Sequence, residues 1–259
     1  MQIREQTPKI SFITAVYNAK FFLNETLASI VNQDYPNKEI IVIDGGSNDG
    51  TKDVIINFDE HIDFWISELD KGIYDAMNKG LQKATGDFVT FINAGDTYCT
   101  NSVVSELFSE YNQQDVVYGD INVITVDGTR KRYQKARPFT EEKLLQHGTG
   151  VLCHQAIFVL REIAPLYNLR WKIKGELCWY FDIIKSQPTI SYLHIPIAVV
   201  DYRLSGYGYN HFWQNQLEWL RLVKSKYGII SLIRYNYAKK LWKKMQYRYP
   251  NLLPSKKRK

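Results

Sequence analysis

The sequence has few cysteines and no long apolar run. Its three cysteines, Cys99, Cys153 and Cys178, are scattered and form no Cys-x-x-Cys pair, so neither a disulfide framework nor a cysteine zinc site is expected. The longest aliphatic stretches, such as residues 195–200, are too short to cross a bilayer, and residues 1–6 contain no apolar signal core. We therefore expect reduced thiols and a cytoplasmic location.

Two nucleotide-binding signatures are also missing. No Gly-x-Gly-x-x-Gly follows a predicted strand and no Gly-x-x-x-x-Gly-Lys-[Ser/Thr] occurs, which disfavours ordinary dinucleotide folds and P-loop enzymes.

Acids are nearly absent from residues 215–259, which hold thirteen Lys or Arg and one Glu, so this segment carries +12 and the preceding residues carry −6. An acidic body with a basic, aromatic tail favours an anionic surface over a nucleic acid as the partner.

The composition is that of a folded α/β protein. The 259 residues are 45% hydrophobic and 23% charged, which is enough for a full core in one large or two small domains. Short β-branched runs alternate with helical patterns, and this alternation is typical of a parallel sheet. The predicted strands lie at residues 9–17, 39–44, 63–68 and 87–92, and the predicted helices at 22–33, from 51, and at 73–83.

The second half of the chain is less regular. Strands are predicted within residues 116–134, around an Asp127-Gly128 turn, and at 152–160 and 189–204, which indicates a mixed sheet. Open α/β sheets bind ligands beyond the carboxyl ends of their strands. The candidate site is therefore expected at that edge.

Polar residues follow the predicted strands at that edge. Tyr17 and Asn18 end the first strand, where an aromatic face and an amide suit a nucleobase, or where the ring simply covers the core. Asp44 ends the second strand, where a carboxylate can accept hydrogen bonds from a base or ribose. Asp96 follows the fourth strand and is either a ligand of a hard cation that also holds a diphosphate or an N-cap for a helix over 101–111.

In combination these segments resemble the family-2 glycosyltransferases, whose fold is called GT-A. The resemblance is strong over residues 8–97 and weaker to about 208, and its most particular run is DKGIYDAMNKG at residues 70–80. That run is similar to bacterial O-antigen, capsule and exopolysaccharide transferases. The resemblance implies a Rossmann-like, mostly parallel sheet with helices on both faces. It implies donor binding by Tyr17, Asp44, Asn93 and Asp96, and we expect Asn18, Lys71 and Asn78 to contribute to the same donor site.

The sequence departs from the family pattern at two donor positions. The common Asp-x-Asp-Asp is here Asn93-Ala94-Gly95-Asp96, so Asp96 is the one carboxylate left to ligate Mn²⁺ or Mg²⁺, and metal dependence is expected to be weak or optional. Many relatives place an Arg before the Asn of the third helix, whereas Met77 precedes Asn78 here. Lys71 supplies the missing charge to the diphosphate, or it is a solvated turn lysine.

The resemblance implies single displacement with inversion at the anomeric carbon. A carboxylate must take the proton from the acceptor hydroxyl, and Glu176 aligns with the family's base Asp; Asp182 is the competing base. His154, Gln155 and Arg203 are expected near the diphosphate or the acceptor. For His154 the alternative is a structural hydrogen bond. No Gln-x-x-Arg-Trp of processive synthases follows, so one sugar is added per encounter.

The expected organisation is a catalytic domain and a tail. Residues 1–208 form the GT-A domain, with a nucleotide half at about 8–100 and an acceptor half at 101–208, and residues 203–208 form a flap over the donor or an ordinary turn. Residues 209–259 form two amphipathic helices broken near Gly228. Such helices bind the cytoplasmic face of the inner membrane. Alternatively, their apolar faces pack on the catalytic body or across a homodimer.

The predicted function is transfer of one hexosyl or N-acetylhexosaminyl unit from a UDP-sugar to a polyprenyl-diphosphate-linked glycan. Two other classes stay open. A nucleotidyltransferase also uses an α/β sheet, but no Gly-rich, basic triphosphate loop lies near the first strand. A non-catalytic membrane or nucleic-acid binding module would depend on the basic tail alone, and it would not need polar residues at the strand ends.

Overall fold

The computed structural model of the protein describes residues 7–125, 128–129, 131–204 and 211–234, together with residues 241, 243 and 245. Several predicted features lie outside these residues. They are Asp127 of the predicted turn, most of the predicted flap, the boundary at residue 208, and much of the second tail helix beyond Arg234 with the basic end.

Four parallel strands form the first half of the sheet. They are β1 (Ile10–Val16), β2 (Lys38–Asp44), β3 (Phe64–Ser67) and β4 (Phe88–Phe91), and they lie side by side in the order β3-β2-β1-β4. β1, β2 and β4 are almost entirely buried, as their continuous apolar runs predict. The connecting helices are α1 (Lys20–Val31), α2 (Thr51–Asn57) and α3 (Ile73–Lys83).

The second half extends the same sheet with mixed pairing. It adds β5 (Thr97–Tyr98), β6 (Val116–Ile124), β7 (Lys131–Gln134), β8 (Ile157–Leu160) and β9 (Tyr192–Arg203). β8 pairs antiparallel with β4 and β6, β9 pairs parallel with β6, and β5 pairs antiparallel with β9. The predicted hairpin is present as antiparallel β6 and β7. The helices are α4 (Val103–Phe108), α5 (Glu141–His147) and α6 (Gly175–Ile184).

One predicted strand is shorter than expected. The sequence predicts an extended chain throughout residues 152–160, but His154–Ala156 form a 3₁₀ turn and only Ile157–Leu160 join the sheet. The run of apolar residues predicts that this segment is buried, and the structure confirms it. The buried residues His154–Ala156 form a tight turn rather than a strand.

A single hydrophobic core joins the two halves of the sheet. The Phe12 ring of β1 packs edge-on against Tyr98 and Phe158, with centroids 5.7 and 6.3 Å apart. All three rings are buried. The parallel half and the mixed half of the sheet therefore share one interior.

The tail begins with helix α7 (Phe212–Arg234), which is interrupted at Gly228 (φ 74°, ψ 174°). The predicted break near Gly228 is confirmed. Trp219, Leu222 and Val223 are buried in the common core, so one face of α7 packs on the catalytic body. Among the described helices, none is both long enough and apolar enough to span a membrane.

Candidate functional site

The carboxyl ends of β1, β2 and β3 lie in one row. Asp44 is level with Val16 on one side and with Ser67 on the other. The Asp44 carboxylate is fully buried; it accepts hydrogen bonds from the Ser47 hydroxyl, from Ser47 N at 3.1 Å, and from Ser67 Oγ at 2.6 Å. These donors satisfy a buried carboxylate and fix its orientation at the strand tip.

The loop after β1 is held against the loop after β2. Asn18 has φ 47°, which Asn tolerates better than most residues, and its Oδ1 accepts from Asn48 N at 3.0 Å. Its backbone N–H donates to Ser47 Oγ at 2.8 Å. Ser47 thus links Asn18 to Asp44. The neighbouring Tyr17 side chain is 63% exposed, so its ring is free to stack.

A second carboxylate lies beside this strand tip. A Cβ built on Gly45 would lie 2.3 Å from Asp70 Oδ2, so only glycine allows this approach. Asp70 Oδ1 also accepts from Gly72 N at 2.7 Å, at the start of the loop into α3. Neither Asp70 nor Ser67 is among the residues predicted from the sequence, where their signal is only that Ser67 ends the third strand and Asp70 follows it closely.

Asp96 occupies the next position along the edge, after β4. Its side chain is buried; Oδ2 accepts from Gln155 Nε2 at 2.9 Å, and Oδ1 accepts from Arg203 N at 2.8 Å. Burial raises the pKa of Asp96 to about 7, against the opposing effect of these two hydrogen bonds and of the Arg203 charge. Asp96 is not an N-cap, because α4 begins at Val103 after Ser102.

The turn that carries Asp96 also carries an unused oxygen. Asp96 N donates to Asn93 O at 3.1 Å, and the Asn93 side-chain oxygen is buried without a hydrogen-bond partner. No group of three or more His, Cys, Asp or Glu side chains in the described part of the chain could hold a metal. One carboxylate and one amide oxygen fit a hard cation that takes its other ligands from a diphosphate.

Glu176 is the second residue of α6 and is partly exposed. Burial of its carboxyl group raises its pKa, while the Lys174 charge and a hydrogen bond from the Thr149 side chain act to lower it. The charges of Asp96 and Glu176 both raise the pKa of the buried Cys153 thiol. The charges of both carboxylates therefore act on the same thiol.

Asp182 lies near the far end of α6. It pairs with Lys226 of α7, and Cys178 Sγ donates to it at 3.4 Å. Its position is about two-thirds of a turn around the helix from Glu176. The structure thus places the two base candidates in different surroundings, and Asp182 joins α6 to the tail helix.

Tyr167 engages two of the predicted site residues. His154 is buried, stacks on Phe91 with ring centroids 5.2 Å apart, and its Nε2 lies 2.5 Å from Tyr167 Oη. Burial lowers the pKa of His154 to about 3, so the ring is neutral. The Asn78 amide donates to Tyr167 O at 3.0 Å and accepts from Tyr167 N at 2.6 Å. This geometry favours the structural alternative for His154.

The remaining predicted cations are Lys71 and Arg203. Lys71 is exposed in the loop between β3 and α3; its N–H donates to Asp75 Oδ2 at 2.9 Å, and its carbonyl accepts from Lys172 Nζ at 3.3 Å. The Arg203 guanidinium lies over the Phe22 ring at 5.6 Å, and its Nε is buried without a partner. Arg203 thus lies next to Asp96, whereas Lys71 lies next to Asp70, in the loop after β3.

The fold and the site define a glycosyltransferase of GT-A type. The model of the family described as Glycosyl transferase family 2 matches residues 11–165. A PGL/p-HBAD biosynthesis glycosyltransferase of Mycobacterium bovis is 33% identical over 204 residues, which cover 74% of this chain and 76% of the relative. The chain belongs to glycosyl transferase family 2. Membership decides against the nucleotidyltransferase and binding-module alternatives.

Another relative has a more detailed name. The Escherichia coli protein WfgD, a UDP-Glc:alpha-D-GlcNAc-diphosphoundecaprenol beta-1,3-glucosyltransferase, is 26% identical over 199 residues, which cover 76% of this chain and 77% of WfgD.

Solved structures share the fold. Staphylococcus aureus TarS 1-349 in complex with UDP has a TM-score of 0.61 and 18% identity, over 83% of this chain and 65% of that chain. The mannosyltransferase PcManGT of Pyrobaculum calidifontis, in complex with GDP-Man and Mn²⁺, has a TM-score of 0.59 and 18% identity, over 84% and 64%. The chain spans less than two thirds of either structure.

Proposed function

We propose that the chain is an inverting, non-processive transferase that moves one sugar from a UDP-sugar to a polyprenyl-diphosphate-linked glycan. The observation that carries the proposal is that Asp44 and Asp96 both lie at the carboxyl edge of the sheet, each with its carboxylate held by hydrogen bonds. In this proposal Asp44 binds the nucleoside, Asp96 lies next to the diphosphate, and Glu176 takes the proton of the acceptor hydroxyl. The names of WfgD and of the TarS complex support UDP as the nucleotide.

Each residue has a chemical task in this reaction. The exposed Tyr17 ring stacks on uracil, while Asp44 accepts hydrogen bonds from the base or ribose. Glu176 takes the proton from the acceptor hydroxyl as the oxygen attacks the anomeric carbon, and its raised pKa makes it a stronger base than a solvated carboxylate. Attack from the face opposite the diphosphate inverts the anomeric centre.

The leaving diphosphate needs positive charge around it. Arg203, beside Asp96, and Lys71, on the other side of the edge, supply fixed cations for the developing charge. Asp96 and the unpartnered Asn93 oxygen would hold Mn²⁺ or Mg²⁺, which supplies further charge neutralisation when bound. Gln155 holds the Asp96 carboxylate in place through its amide.

The test of the nucleotide site is thermal unfolding with UDP, GDP and dTDP, each with and without Mn²⁺. Ligand at about 100 times its Kd stabilises by roughly 2.7 kcal/mol, a shift of several degrees for a chain of this size. We expect UDP alone to give the shift, Asp44→Ala to abolish it, and Asp87→Ala to keep it. Asp87 is an exposed acid that binds Lys9 N at the opposite edge of the sheet.

The transfer itself is tested with a panel of UDP-hexoses and UDP-N-acetylhexosamines and a lipid-diphosphate N-acetylhexosamine acceptor. The expected product carries one added sugar, with inverted configuration by NMR. Products with many added units would contradict the non-processive proposal. Retained configuration would contradict the inverting mechanism.

We propose that the second part of α7 contacts the membrane that carries this acceptor. Beyond Gly228, three isoleucines are more than half exposed: Ile229, Ile230 and Ile233. In the first part, Trp213 and Leu217 are about half exposed. Exposed apolar groups on a basic helix are typical of interfacial binding. The buried face of α7 packs on the body, so only the opposite face is available.

Sedimentation with anionic vesicles tests this contact. We expect the triple substitution of Ile229, Ile230 and Ile233 by Ser to reduce binding strongly while leaving UDP binding unchanged. The matched control is the single substitution Ile56→Ser, since Ile56 is an exposed isoleucine on α2. Equal sedimentation of the triple variant and the wild type would show that this surface does not bind lipid.

A further inference from the structure

Glu218 joins α7 to the loop that precedes α6. Its carboxylate is buried and accepts hydrogen bonds from three consecutive backbone N–H groups. Oε2 lies 3.1 Å from Lys172 N, 2.8 Å from Ile173 N and 3.1 Å from Lys174 N. Gln214, one turn earlier in α7, donates to Oε1 at 3.4 Å.

These three N–H groups belong to the loop that enters α6. Gly175 is the first residue of α6 and Glu176 the second, so the loop held by Glu218 ends directly at the proposed base. Lys174 is also the cation whose charge acts on the Glu176 carboxyl. Tyr74 of α3 holds the same loop from the donor side, because its hydroxyl donates to Ile173 O at 2.9 Å.

The residue after Glu218 reaches a second segment that contacts Glu176. A Cβ built on Gly148 would lie 3.0 Å from Trp219 Nε1, so the indole lies against the backbone there. Thr149, which follows, donates the side-chain hydrogen bond to Glu176. Two adjacent residues of the tail helix therefore contact both segments that supply the partners of Glu176.

We propose that Glu218 of α7 is a positioning residue that holds the 172–174 loop, and with it Glu176, against the acceptor. This inference rests on the proposed role of Glu176 as the base. A buried carboxylate that accepts hydrogen bonds from three backbone N–H groups holds a loop firmly, because a loop that moves away must exchange three charge-assisted hydrogen bonds for bonds to water. Misplacement of a base by about 1 Å costs roughly 100-fold in rate.

The test compares Glu218→Ala and Glu218→Gln with Lys226→Met. Lys226 binds Asp182, so it joins the same two helices at the end remote from Glu176. We expect Glu218→Ala to lower kcat by roughly 10- to 100-fold with the KM for the donor and the UDP-induced thermal shift unchanged. Lys226→Met should keep kcat within about twofold of the wild type even where its loss of thermal stability is comparable.

The conservative variant separates positioning from general stability. Glu218→Gln keeps an acceptor oxygen but loses the charge, so kcat should recover in part, to a value between those of Glu218→Ala and the wild type. Three results overturn the proposal: a kcat loss in Glu218→Ala no larger than in Lys226→Met, a fall in UDP binding parallel to the fall in kcat, or no recovery in Glu218→Gln. If Glu176→Gln keeps full activity, the assignment of the base is wrong, and that result is distinct from all three.

Discussion

Asp96 and Arg203 are 107 positions apart in the sequence, and the Arg203 backbone N–H donates to Asp96 Oδ1 over 2.8 Å. This bond joins the end of β9 to the turn after β4. Gln155 occupies the other carboxylate oxygen, from the 3₁₀ turn before β8. Three segments remote in sequence therefore determine the position of one carboxylate, and a change in any of them alters the site.

The first prediction concerns the pH dependence that Asp96 gives to stability. Its pKa is about 7 in the folded protein, against 3.8 for an ordinary aspartate, so the unfolded chain binds fewer protons between these pH values. Stability is thus lost as pH rises through this window, and each pKa unit corresponds to about 1.4 kcal/mol. We expect Asp96→Asn to gain stability relative to the wild type from pH 4 to 7 in urea unfolding without ligand. A pH-independent difference would contradict this.

His154 gives the opposite dependence. Its pKa is about 3 in the folded protein, against 6.5 for an ordinary histidine, so the unfolded chain binds more protons between those values. Stability is lost as pH falls from about 6.5 towards 3. We expect His154→Phe, which retains an aromatic ring beside Phe91, to gain stability relative to the wild type as pH falls in the same urea series. The prediction is wrong if the two proteins differ by a constant amount.

The third prediction distinguishes the two base candidates. Glu176→Gln removes the proton acceptor and keeps the shape, so kcat should fall by roughly 100-fold or more, while the UDP-induced thermal shift persists. Asp182→Asn removes the ion pair with Lys226 and should lower stability with little effect on kcat. Steady-state kinetics and thermal unfolding of both variants check this. A larger kcat loss in Asp182→Asn would transfer the base role to Asp182.

The fourth prediction concerns the close approach of Asp70 to Gly45. In Gly45→Ala the new methyl would lie 2.3 Å from Asp70 Oδ2, so the carboxylate must move and UDP affinity should fall at least about tenfold. Gly150→Ala is the matched control, since nothing lies within 4 Å of a Cβ there. Calorimetric titration with UDP measures both. Equal UDP affinity in the two variants would show that UDP binding does not depend on the position of the Asp70 carboxylate.

The sequence predicted the parallel half of the fold well. β1, β2, β3 and β4 begin and end within a residue or so of the predicted bounds, because continuous apolar runs ending in polar residues are typical of strands buried on both faces. The contacts between distant segments were not predictable. The bond between Asp96 and Arg203, and that between Glu218 and the 172–174 loop, depend on packing that no local pattern records.

The same limit applies to individual site residues. His154 and Asn78 follow the family pattern in sequence, yet both side chains bind Tyr167, whose position cannot be inferred from its neighbours. The approach of Glu176 and Asp96 to Cys153 likewise follows from the tertiary fold. Residue type and strand position therefore predicted that the site lies at the carboxyl edge of the sheet. The hydrogen-bond partners of each residue came from the structure.

The break at Gly228 divides the tail into two parts, which a single straight helix would join rigidly. The part before it carries Glu218 and Trp219, which contact the body, and the part after it carries the exposed isoleucines. A protein shortened at residue 209 to improve its behaviour in solution would lose both. Shortening after Tyr227 removes the exposed isoleucines and keeps Glu218 and Trp219, so that cut is the one to use for crystallisation and for kinetics with soluble acceptors.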